Sequence, residues 1–116
     1  MEKNTGNVEE QIIDYTALAD EISKIILNID GISSFADVGI KDSIENAIFR
    51  RNSIAPGILF DNDDYMLYTL TLHVNVKFGY NIPQLCYDTQ SILKRVVEEK
   101  FNIRVKAVNI FIEGIE

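Results

Sequence analysis

A chain of 116 residues, 47% hydrophobic and 25% charged, has the size and mix of one globular domain and can bury a core without disulfide or metal staples. Its 18 acidic against 11 basic residues give a formal net charge of −7, which sets it against the phosphates of DNA and RNA. One cysteine, Cys86, excludes an internal disulfide, and no apolar run approaches the ~20 residues that span a bilayer.

Residues 1–11 are polar and acidic and lack the basic start and apolar run of a signal peptide, so they read as a mobile tail before a single domain over 12–116. The first helix is expected over 15–29. Asp14 supplies an N-cap, and Leu18, Ile22, Ile25, Ile26 and Ile29 form one apolar stripe. Gly31 suits the left-handed residue that ends such a helix. A short second helix is expected over 43–51, where Asp42 and Glu45 have capping-box spacing and Arg50 and Arg51 sit near the negative end of the dipole.

Pro56 and Gly57 break the chain, 58–60 begins a strand, and Asp61-Asn62-Asp63-Asp64 reads as a turn. The clearest pattern follows. Met66, Tyr68, Leu70, Leu72, Val74, Val76 and Phe78 alternate with Thr69, Thr71, His73, Asn75 and Lys77, which predicts a long strand with one buried and one wetter face. Gly79 ends it. Pro83 opens a helix running to about Lys100, whose inward side carries Leu85, Cys86, Thr89, Ile92, Leu93, Val96 and Val97. In the last strand, over 103–113, Ile103, Val105 and Ala107 keep one phase and Val108, Ile110 and Ile112 the other, so a bulge is expected between Ala107 and Val108. The fold class is therefore α+β: a small antiparallel-rich sheet of three or four strands with two main helices packed on one face.

Chemistry is sparse. His73 and Cys86 are too few for a zinc site, and as an exposed sheet residue and a core helix residue they should lie on opposite sides of the sheet. The run from Asp61 fails the calcium-loop pattern, because Tyr65, Met66 and Leu72 stand where Asp or Asn, Gly and Glu are required. No glycine-rich phosphate loop and no Gly-x-Ser-x-Gly elbow is present. The expectation is a protein with no catalytic residues, no cofactor and no metal. What remains is surface. Tyr65 and Leu67 continue the phase of His73 on the wetter face of the long strand, and Asn109 and Phe111 point away from Val108, Ile110 and Ile112. These five residues are the candidate interaction surface, although single exposed apolar residues are common on any protein.

The stretch Val74-Asn75-Val76-Lys77-Phe78-Gly79-Tyr80-Asn81-Ile82-Pro83-Gln84-Leu85, then Asp88-Thr89-Gln90, then Val105-Lys106-Ala107-Val108-Asn109-Ile110, resembles the alkaline shock protein family of Gram-positive bacteria, also called the Gls-type envelope stress response family. Val76, Gly79, Ile82, Pro83, Gln90, Val108 and Asn109 match its pattern. Phe78 stands where Tyr is usual, and Lys77 where an acidic residue is frequent. The resemblance implies a cytoplasmic, non-enzymatic protein of cell-envelope homeostasis that forms homo-oligomers and reaches the membrane, where it does so, through a membrane-anchored partner. The alternative is a soluble regulator of one metabolic enzyme. A nucleic-acid-binding domain would need a basic, aromatic surface at odds with the acidic composition.

Overall fold

The computed structural model describes residues 13–36 and 53–116. The tail expected over 1–11 and the helix expected over 43–51 lie outside the described residues. The elements are α1 (Tyr15–Leu27), β1 (Ile32–Phe35), β2 (Ser53–Ala55), β3 (Ile58–Asn62), β4 (Leu67–Val76), α2 (Ile82–Phe101) and β5 (Arg104–Ile115).

The Asp14 carboxylate accepts from the N–H groups of Thr16 and Ala17 at 3.0 and 3.2 Å, which satisfies two donors that the first turn of α1 leaves open. The helix closes at Leu27, two residues before the expected end, through a tightened last turn: the Asn28 and Ile29 N–H groups bond back to Ile25 and Ile26. Gly31 then carries φ +103° into β1.

β4 is the centre of the sheet. β5 runs parallel to it along its whole length. Its other side is shared end to end by two antiparallel strands, β3 against Tyr68–Leu72 and β1 against Val74–Val76, with β2 outside β3. The α+β class holds; among the described residues the sheet has five strands, where three or four were expected. The two additional strands, β1 and β2, have four and three residues and are too short to establish a period of two.

The alternation of β4 is real from Tyr68 to Val76: Tyr68, Leu70, Leu72, Val74 and Val76 are all buried. It fails at both ends. Met66 lies in the β3–β4 turn with φ +61°, and Phe78 lies beyond the strand and is 83% exposed. The turn itself falls at Asp63–Met66, later than expected, because β3 continues through Asn62. The bulge in β5 is present but sits earlier: Tyr68 pairs Val105 and Thr69 pairs Ala107, so Lys106 is the extra residue. A second bulge follows at Glu113, between Ile112 and Gly114.

α2 starts at an Asn81 cap, with Pro83 in its first turn, and ends at Asn102 in the left-handed conformation, φ 54°. Leu85, Thr89, Leu93 and Val97 are buried, and Thr89 satisfies its hydroxyl on the Leu85 carbonyl at 2.7 Å. Cys86, expected in the core, is only half-buried. Both helices cover one face of the sheet. Leu18, Ile22 and Ile26 of α1 join the α2 stripe and Leu70, Leu72 and Val74 of β4 in one core.

Candidate interaction surface

The face of β4 and β5 opposite the helices carries His73, Asn109 and Phe111. Parallel register sets Thr71 beside Asn109 and His73 beside Phe111. The His73 and Phe111 rings stack at 5.0 Å with 13° between their planes. Phe111 remains 52% exposed on top, and His73 is buried beneath it at 5%. This corrects the expectation that His73 is an exposed sheet residue. The polar phase of a central strand is covered when its neighbours carry large side chains, and here Phe111 covers it. The imidazole Nδ1 lies 2.6 Å from Glu113 Oε2. On the main chain, His73 donates to Gly57 O at 2.9 Å and accepts from Ala36 N at 2.8 Å.

The surrounding backbone is fitted closely. A Cβ on Gly57, at φ +79°, would lie 3.0 Å from the carbonyl oxygens of both Ala36 and His73. Asn75 extends the same row of β4 and donates to Ser34 Oγ at 3.2 Å, while its own carbonyl accepts from Ser33 Oγ.

His73, Asn109 and Phe111 thus form one patch, but Tyr65 and Leu67 do not join it. Leu67 pairs with Arg104 at the other end of β4, six residues from His73, or ~20 Å along a strand. Tyr65 is 83% exposed in the turn, where Asp63 organises the chain. Asp63 Oδ1 accepts from the N–H groups of Tyr65 and Leu67, and its Oδ2 takes the Lys106 ammonium at 2.9 Å. The Lys106 contact and these N–H donors hold the Asp63 carboxyl down at about 2. Glu113 was not singled out from the sequence. The signal for it was there, since it is the next residue after Asn109 and Phe111 in the same phase.

Between α2 and β5 runs an open groove of about 310 Å³ lined by Tyr87, Gln90, Ser91, Lys94, Lys106 and Val108, among others. Side chains of α2 here bind the backbone of β5. Gln90 Nε2 donates to Val108 O, Lys94 Nζ donates to Val105 O, and Glu98 Oε2 accepts from Val105 N. Lys94 and the Val105 N–H keep the Glu98 carboxyl below its ordinary range. Among the described residues no group of three His, Cys, Asp or Glu side chains could hold a metal ion, and no helix is long and apolar enough to cross a membrane.

Residues 3–116 match the model of the alkaline shock protein 23 family, described by a cell envelope-related function. The chain is also 24% identical over 87 residues to an uncharacterized protein, Spy1535, of Streptococcus pyogenes serotype M6, a match covering 75% of this chain and 64% of that protein. The chain therefore spans less than two-thirds of the length of this curated relative. No solved structure matches.

Proposed function

The chain belongs to the alkaline shock protein 23 family, of cell envelope-related function, and from that premise we propose that it acts as a non-enzymatic, self-associating scaffold or interaction protein in cell-envelope homeostasis. The observation that carries the reading is the exposed Phe111 ring, fixed over His73 on the sheet face that the helices leave open. An aromatic side chain held by stacking loses little conformational freedom when a partner covers it, which is the character of an interface anchor. The single cysteine, which can form no internal disulfide, fits a reducing cytoplasm as its compartment. Contact with the membrane would then run through a membrane-anchored protein partner.

The test is solution mass by light scattering across a wide concentration range. The wild-type chain is expected to exceed the 13.2 kDa of one copy in defined steps. Phe111→Glu, which removes the ring and sets a carboxylate beside Glu113, is expected to weaken association by roughly tenfold or more. A thermal melt checks that the variant is folded. A wild-type chain that stays monomeric at every concentration would overturn the self-association reading. An unchanged mass in Phe111→Glu would remove this face from it.

A further inference from the structure

Among the described residues β5 is an edge strand, paired only with β4. The ladder tells which of its backbone groups look outward. His73 turns its N–H and C=O toward Gly57 and Ala36, on the far side of β4. Leu70, Leu72 and Val74, one residue out of phase, therefore turn theirs toward β5. Their register partners Val108, Ile110 and Ile112 turn N–H and C=O away from the sheet. The Gln90 side chain, reaching Val108 O from α2, reports that direction.

Two bulges bound this row. Between them, Ala107–Ile112 runs in unbroken register with Thr69–Val74, and its outward groups centre on Ile110. On the N-terminal side the edge is already occupied, because Lys94 and Glu98 bind the carbonyl and N–H of Val105, and within the row the Val108 carbonyl, which already accepts from Gln90 Nε2, must take a second donor or release Gln90 when another strand pairs there.

Resting on the self-association reading and giving it a geometry, we infer that this window pairs antiparallel with the same window of a second copy, about a two-fold axis at Ile110, fusing the two sheets into one. A two-fold contact must be self-complementary, and the charges along β5 are. Arg104 and Lys106 precede the window, and Glu113 and Glu116 follow it. Antiparallel pairing brings the basic end of each strand to the acidic end of the other, whereas parallel pairing would set like against like. Lys106 and Glu113 are engaged within the chain by Asp63 and His73. Arg104 and Glu116 enter none of the ion pairs among the described residues, and they are equidistant from Ile110.

The side chains agree with the charges. On the helix side, Val108 of one copy meets Ile112 of the other and Ile110 meets itself. On the open side, Asn109 meets Phe111. The groove beside the edge, with Tyr87 65% exposed along it, gives the second copy apolar surface to cover next to the axis.

Light scattering on the wild-type chain and four edge variants tests the pairing. The wild type is expected to reach twice 13.2 kDa. Arg104→Glu or Glu116→Lys alone is expected to weaken the dimer roughly tenfold, and the two together to restore it, since each reversal leaves a repulsive pair that the second makes attractive again. Ile110→Pro deletes an outward N–H that the β4 ladder does not use, so it should give a folded monomer. If it does not fold, the charge series decides. Failure of the double reversal to restore affinity, or a folded Ile110→Pro chain that dimerises like wild type, would overturn the edge pairing. A mass lowered by Phe111→Glu but by no edge variant would keep self-association and overturn this geometry. A monomeric wild type would overturn both.

Discussion

Asp63 shows how one side chain can hold a corner of this molecule. Its carboxylate binds two backbone N–H groups of the β3–β4 turn and the Lys106 ammonium at the first bulge of β5. The turn and the bulge are therefore tied together. The folded-state pKa of about 2 lies below the ordinary 3.8, so the ionised form is favoured by folding. The sign follows from linkage: this contribution is fully present above about pH 3.8 and is lost as pH falls through about 2. Asp63→Asn should lower the melting temperature at neutral pH, and the difference from wild type should shrink in melts recorded toward pH 2. A pH-independent difference would mean that the hydrogen bonds, and not the charge, carry the effect. Asp63 was read from the sequence as part of a turn. Its bond to Lys106 was not legible, because the two residues are far apart in sequence and meet only when β5 docks beside β4.

At the level of elements, the most constrained point is the entry to β3. Gly57 combines φ +79° with carbonyl oxygens of two neighbouring segments 3.0 Å from where a Cβ would stand. Gly57→Ala is expected to destabilise the fold by about 1–2 kcal/mol from the left-handed backbone alone, with the steric contact added. Urea denaturation would measure this, and a neutral result would show that Ala36 or His73 can shift. The glycine was legible as a break beside Pro56, but the reason for it was not, since the oxygens it must clear belong to β4 and to the end of β1. The two bulges of β5 make a similar point. A change of phase between Ala107 and Val108 was visible in the sequence and predicted an inserted residue there. Which residue is extra depended on the partner strand, and Lys106 takes that place, with its side chain bonded to Asp63.

The described residues form one core, in which both helices and the centre of the sheet share buried side chains. Such a domain should unfold in a single cooperative step. Leu72→Ala, at a site with no exposure, should cost about 2–5 kcal/mol. It should move the urea midpoint while far-UV circular dichroism and tyrosine fluorescence remain coincident. Separate transitions by the two probes would mean that the helices and sheet do not share one core. At this scale the −7 charge also matters, because like-charged copies repel. The proposed contacts between copies must therefore be local and complementary. The apolar ring of Phe111 and the opposed charges at the two ends of β5 meet that condition.

Legible in the linear chain were the α+β class, the two amphipathic helices with their Asp14 cap and Pro83 start, the central strand, the bulged last strand and the family resemblance. Each of these is written in local periodicity or in short motifs, and those survive in a linear chain. Only the tertiary structure decided that β1 and β3 share one side of β4, that β5 returns parallel, and that His73 is buried against Phe111 and Glu113. The physical reason is that period two assigns a residue to a face but says nothing of what covers that face. Burial of a polar phase depends on side chains from the neighbouring strand, and the register that brings Phe111 beside His73 includes the bulge at Lys106, which no local pattern places.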